Sequence, residues 1–197
     1  MKNTRIFLVR HAESVGNKKR VQQGQIDYEL TPQGVRQAKA IAKRLSKIRF
    51  DAIYASTLSR ACSTAEEIAK LQHCKVIRSK LLMERSFGKH EGKPYAGVGP
   101  AYRYNSYARP PGGESMKQAF DRAKPLLEKI LKKHGGKTML IVGHGNLGRA
   151  MLCYYLGLPV SKARVFGPLR NTSITEIEFY PHGPRLMRLN DWAKLED

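Results

Sequence analysis

Apolar residues along the chain follow two rhythms. Short unbroken runs, Ile6-Phe7-Leu8-Val9 and Met139-Leu140-Ile141-Val142-Gly143, have the length and composition of strands buried on both faces. Other stretches place apolar residues every three or four positions. The clearest carries Val35, Ala38, Ala42 and Leu45 on one face and Arg36, Lys39, Lys43, Arg44 and Lys47 elsewhere, which predicts an amphipathic helix laid on a sheet. Thr31 precedes it as an N-cap, and Pro32 follows as a first helical residue, where a missing N–H costs nothing.

In order, the chain reads strand 6–9, polar loop 14–30 with the basic triplet Lys18-Lys19-Arg20, a helix from 31, strand 51–56, helix 58–71 and strand 75–79. After an irregular region come helix 115–133, strand 139–143, a helix to about 156, and strands 173–180 and 185–189. Strands alternating with helices predict an α/β fold of three layers, α/β/α, with a mainly parallel central sheet. At 197 residues the chain suits one domain, 1–197. Residues 87–113 break the rhythm with glycines, prolines and the tyrosines Tyr95, Tyr102, Tyr104 and Tyr107. An irregular stretch of that length inside one domain is expected to be a lid or a substrate wall.

Composition narrows the function classes. No apolar run approaches the length that crosses a bilayer, and the N-terminal residues lack the apolar stretch and cleavage site of a secretory signal, so no membrane role and a cytoplasmic address are expected. Cys62, Cys74 and Cys153 form no CxxC pair and are odd in number, which disfavours a zinc cage or a disulfide framework. The net charge of +20 favours polyanionic partners: phosphorylated substrates, nucleic acid or anionic surfaces. Many of the cations, such as Lys39, Lys43, Lys47, Lys129, Lys132 and Lys133, fall on helix faces that read as solvated, and no nucleic-acid module is recognisable. Nucleic-acid contact is thus allowed by charge but not predicted, and a non-enzymatic polyanion binder is the alternative of another class. Nothing in the pattern sets an oligomeric state.

Four polar clusters fall at or just after strand ends: Arg10-His11, Ser56 to Arg60, Glu84-Arg85, and Gly143-His144-Gly145-Asn146. Ligands of open α/β sheets bind outside the carboxyl ends of the strands, so His11 and His144 are placed to face each other across one site. A neutral imidazole beside guanidinium groups suits attack on a phosphoryl group, because the fixed positive charge offsets that of the dianion. A carboxylic acid is then needed to protonate the departing alkoxide, and Glu84 is the candidate. Each cluster alone has an ordinary reading as well: a histidine at a strand end serves as a rim residue, and Arg60 can pair with Glu66 or Glu67 on its own helix.

Taken together, the clusters resemble the histidine phosphatase superfamily, which contains cofactor-dependent phosphoglycerate mutases and many phosphatases. Leu8-Val9-Arg10-His11-Ala12-Glu13-Ser14, with Asn17 following, is similar to its signature. Asp27 to Ala38, Ser56 to Ala61, Leu82 to Gly88 with Glu91-Gly92, Pro111 to Ser115, and Val142 to Gly145 continue the series in family order. The resemblance implies a phosphoglycerate mutase-like fold and a phosphohistidine formed on His11. It also implies a phosphate pocket completed by Arg10, Arg60 and His144, with Glu84 as proton donor and then as base for water. Asn17, Gln23 and Gly24 match positions on the substrate side, as do Gly145 and Asn146 after the second histidine. Ser14 is either a phosphate contact or a turn residue. No metal or cofactor is implied, and the expected partner is a small phosphorylated substrate.

Between the two branches, the sequence favours a phosphatase, with a bisphosphoglycerate-dependent phosphoglycerate mutase as the alternative. Glu84-Arg85-Ser86-Phe87-Gly88 has Phe87 where the mutases have a tyrosine, and residues 93–110 offer only the separated Arg103 and Arg109 in place of an arginine pair. Gly145-Asn146 with Arg149 following resembles the mutase version of the second motif.

Overall fold

Both apolar runs are strands, and they pair with each other. The computed structural model describes residues 3–193. Strand β1 (Thr4–Arg10) is followed by the short helix α1 (Val15–Lys18), helix α2 (Pro32–Leu45), strand β2 (Ala52–Ser56), helix α3 (Ser59–Gln72) and strand β3 (Val76–Ser79). Then come helices α4 (Pro100–Tyr104) and α5 (Met116–Lys133), strand β4 (Thr138–Gly143), helix α6 (Gly145–Tyr155), and strands β5 (Ile174–Tyr180) and β6 (Gly183–Asp191). The six strands form one sheet in the order β3-β2-β4-β1-β5-β6. The first four are parallel, and β5 and β6 extend the sheet in antiparallel pairs.

The central strands are apolar on both sides because both sides are covered. Ile6, Leu8, Met139 and Ile141 point into a core built with α5 and α6, whereas Phe7, Val9, Leu140 and Val142 point into a second core built with α2 and α3. This alternation, two residues to the period, makes the three layers. In register, Arg10 lies opposite Gly143 at the carboxyl ends of β1 and β4, so the next residues, His11 and His144, leave the sheet side by side.

Local chemistry sets the helix starts. Thr31 Oγ1 accepts the Gly34 N–H at 2.9 Å, with Pro32 in the first turn, and Ser115 forms a reciprocal cap with Gln118. The polar loop read at 14–30 contains the unexpected α1, capped by Ser14, and a seven-residue 3₁₀ segment, Val160–Phe166, lies between α6 and β5. Strand β3 is a half-exposed edge, which the apolar Val76-Ile77 pair alone does not reveal.

Residues 87–113 hold two 3₁₀ turns, Gly88–His90 and Tyr95–Gly97, and helix α4. A buried guanidinium fastens α4 and the residues that follow it. Arg85 donates to the carbonyls of Glu114, Tyr102 and Ala108 at 2.7–2.9 Å and lies 4.6 Å from the centre of the Phe87 ring. Arg122 of α5 holds the stretch before it, donating to the Leu81 and Met83 carbonyls and pairing with Glu114. Among the described residues no helix is long and apolar enough to cross a membrane.

Candidate active site

The parallel pairing of β1 with β4 brings the two histidines together. The His11 N–H bonds the Gly143 carbonyl at 2.9 Å, and the two imidazole centres lie 5.3 Å apart at 60°. His11 Nδ1 is 2.7 Å from the Ala12 carbonyl oxygen. A carbonyl can only accept, so Nδ1 carries the proton and Nε2 keeps its lone pair. Both ring nitrogens of His144 are buried without a protein partner. Burial, then the charges of Arg60 and Arg10, hold the His11 pKa well below the ordinary histidine value of 6.5, against a smaller opposing effect of the Ala12 carbonyl. Burial and the same arginines, with His11 beside it, do the same for His144. Both imidazoles are neutral at pH 7.

Two arginines reach the same place from different elements. Arg60, in the first turn of α3, is 1% exposed and donates through Nη1 to the Ile26 carbonyl at 2.8 Å and through Nη2 to the Gly24 carbonyl at 2.7 Å. Arg10 donates to the Leu169 carbonyl through Nη1. In each case a buried Nε has no partner within the protein. Burial brings the Arg60 pKa down to about 10, which leaves Arg60 charged at pH 7, and burial also lowers that of Arg10, whose guanidinium keeps its proton as arginines in proteins do. Buried guanidiniums oriented by neutral carbonyls, with donors left over, make an anion site.

Glu84 sits where the chain after β3 meets the start of α6. Its Oε1 accepts the N–H groups of Arg85 and Leu147, and its Oε2 accepts the Asn146 N–H and the Asn146 side-chain amide. Two of these donors belong to the first turn of α6, whose amides have no partner inside the helix. Gly145 leaves the space beside the carboxylate clear. A Cβ there would lie 3.7 Å from Arg10 Nε and 3.9 Å from Glu84 Oε2.

These groups line a half-open cavity of about 160 Å³. Of the residues singled out by sequence, Arg10, His11, Arg60, Glu84, Gln23, Gly24, Gly145 and Asn146 line it. His144 is packed beside His11 and set back from the lining. Ser14 and Asn17 do not line it. Ser14 is fully buried and caps α1, its hydroxyl donating to Gln23 Oε1 at 2.7 Å, while Asn17 Oδ1 receives the Ser14 N–H and the Asn171 amide. Gln23 is thus tied through Ser14 to the cap of α1.

Gln22, Tyr95, Arg149, Pro168 and Leu169 complete the wall. Tyr95 is the contribution of 87–113, and Arg149 lies little more than one turn of α6 beyond the second histidine. Gln22, Pro168 and Leu169 carry no signal in the sequence, because nothing local says that their loops return to this point. A neutral imidazole, fixed cations and a carboxyl group around a small polar cavity on an α/β/α scaffold are the groups that phosphoryl transfer requires.

Known proteins bear on that class directly. The profile of the histidine phosphatase superfamily (branch 1) matches residues 6–192. Phosphoserine phosphatase 1 of Hydrogenobacter thermophilus is 34% identical over 194 residues, covering 94% of this chain and 92% of its own. The metal-independent phosphoserine phosphatase of Arabidopsis thaliana is 38% identical over 185 residues, 88% of this chain and 76% of its own. Other relatives carry phosphoglycerate mutase names. Among solved structures, mycobacterial glucosyl-3-phosphoglycerate phosphatase superposes with a TM-score of 0.90 at 27% identity, over 97% of this chain and all of that one. The chain belongs to the histidine phosphatase superfamily, and it is a phosphatase of that type.

Proposed function

We propose that the protein is a metal-independent phosphomonoesterase that acts on a small phosphorylated metabolite through a phosphohistidine on His11. The single observation behind this reading is the Nδ1 bond to the Ala12 carbonyl, which leaves Nε2 as the nucleophilic nitrogen beside two buried, under-used guanidiniums. Nε2 attacks phosphorus, the bond from phosphorus to the ester oxygen breaks, and Glu84 gives its proton to the departing alkoxide. In the second half Glu84 takes a proton from water, the resulting hydroxide attacks phosphorus, and inorganic phosphate leaves with His11 neutral again. Arg10 and Arg60 balance the charge on the transferred group throughout.

Hydrolysis is preferred to mutase chemistry on the character of the wall. Phe87 is buried under Arg85, and neither Arg103 nor Arg109 lines the cavity; Arg109 instead donates to the Gly113 carbonyl. The phosphoserine phosphatase names of the relatives make phosphoserine the first substrate to try. The test is turnover of an aryl phosphate and of phosphoserine, set beside 3-phosphoglycerate primed with 2,3-bisphosphoglycerate. Hydrolysis with acid-labile labelling that disappears in His11→Ala is the expected result. Efficient isomerisation with negligible hydrolysis, or labelling that persists without His11, overturns it.

A further inference from the structure

The cavity carries more fixed positive charge than a phosphoryl group requires. Three guanidiniums line it, those of Arg10, Arg60 and Arg149. Among the described residues none of the three has a carboxylate within 4.0 Å, the salt bridges of the protein lying elsewhere. Glu84 is the one acidic side chain in the lining, and both histidines are neutral. When Glu84 carries the proton it must deliver, three positive charges face a phosphoryl dianion, and one remains unmatched.

Connectivity shows which charge is left over. Arg10 and Arg60 flank His11 and are fixed by backbone carbonyls. Arg149 is held by a different device. Its Nη2 donates to Asn146 Oδ1 at 2.8 Å, and the amide nitrogen of the same Asn146 side chain donates to Glu84 Oε2 at 3.3 Å. Its buried Nε has no partner. Arg149 is therefore tied to the proton donor rather than to the nucleophile, which places it on the side of the leaving oxygen, where the organic part of a phosphomonoester lies.

We infer that Arg149 is a second anion subsite, which reads a carboxylate carried near the ester oxygen of the substrate. This inference rests on the phosphatase reading of the same cavity. A carboxylate matches both the geometry and the charge: the planar fork of a guanidinium suits its two oxygens, and one negative charge restores neutrality around protonated Glu84. A second phosphoryl group would bring two negative charges where one is unmatched. Asn146 is the positioning residue that couples this subsite to the acid.

O-phosphoserine and O-phosphoethanolamine differ only in a carboxylate, so they isolate the effect. Their affinities are measured by calorimetry on His11→Ala protein, which reads binding without turnover, and kcat/KM is measured for both on protein that retains His11. Phosphoserine is expected to bind at least tenfold more tightly. In Arg149→Met that preference collapses to within about twofold, and Arg149→Lys, which keeps the charge without the fork, restores part of it. Equal binding of the two ligands, or equal losses for both in Arg149→Met protein that melts like its parent, overturns the subsite. Hydrolysis of both esters without preference leaves the phosphatase reading standing and removes the subsite. Preference in binding without any turnover does the reverse.

Discussion

Glu84 and Leu147 are joined by a hydrogen bond of 3.0 Å from the Leu147 N–H to Glu84 Oε1, and through it the proposed general acid caps the helix after the second histidine. One carboxyl group thus serves the fold and, in the proposed reaction, the proton transfer. Glu84→Gln puts an amide NH₂ against at least one of the amides that now donate to it, whereas Glu84→Ala leaves those of Leu147 and Asn146 unmet. Both should lower kcat about 10²–10⁴-fold on an alkyl phosphate, and each unmet buried group should reduce stability by roughly 1–3 kcal/mol. An aryl phosphate, whose leaving group needs little protonation, should lose far less rate. Equal losses on both esters would remove Glu84 from the acid role.

Neutral buried histidines have a pH signature. Because His11 and His144 lie well below 6.5 in the folded protein, the unfolded chain binds more protons than the native one as pH falls through 6.5. Their contribution to stability is therefore complete above about pH 6.5 and is lost progressively below it. Urea unfolding between pH 7.5 and 5 should show this decline, reduced in a His144→Gln variant. In ¹⁵N spectra neither ring should titrate near 6.5, and an inflection there from His11 would contradict the electrostatic picture.

Gly145 separates the requirements of the helix from those of the ligand. In Gly145→Ala the new methyl meets Arg10 and Glu84 at ordinary contact distance, so the fold should tolerate it, with stability unchanged or raised by up to about 0.5–1 kcal/mol. The same methyl occupies space between the arginine and the acid. Inorganic phosphate should bind at least tenfold more weakly while the melting temperature holds. Unaltered phosphate affinity would show that the anion sits elsewhere.

Arg85 tests how residues 87–113 are fixed. Arg85→Met removes the donors to the Glu114, Tyr102 and Ala108 carbonyls from a site where the side chain is 1% exposed. The loss should destabilise the protein by about 2–4 kcal/mol and speed hydrogen exchange in residues 100–110 more than in the central strands. Uniform exchange across the molecule would mean that the segment is held by other contacts.

The sequence made the strands and their covering helices visible wherever one element's own pattern determines it. The runs at Ile6-Val9 and Met139-Val142 are buried on both faces, and Thr31-Pro32 starts its helix with its own atoms. The family order of Arg10, His11, Arg60 and Glu84 pointed to the residues that line the cavity. Hidden features depend on returns from far along the chain. Leu169 orients Arg10 across 159 positions, and no local pattern around Pro168-Leu169 announces it. Ser14 shows the opposite case, since a hydroxyl beside a signature motif serves equally well as a cap, and only its bonds to Asn17 and Gln23 reveal which. The charge of Arg149 was readable, but not that it has no acidic partner, which is a property of its surroundings.

The pairing of β1 with β4 and β5 alone also orders events at the ribosome. Strand β1 is synthesised before both of its sheet neighbours, which come from residues 138–143 and 174–180. Strands β2 and β3 can pair as soon as they emerge, whereas β1 must wait, apolar on both faces, until β4 has been made. His11 acquires its tether to the Gly143 carbonyl only after Gly143 exists. A nascent chain halted before β4 thus carries the proposed nucleophile without a site around it, and the cavity forms late and together with the closed sheet.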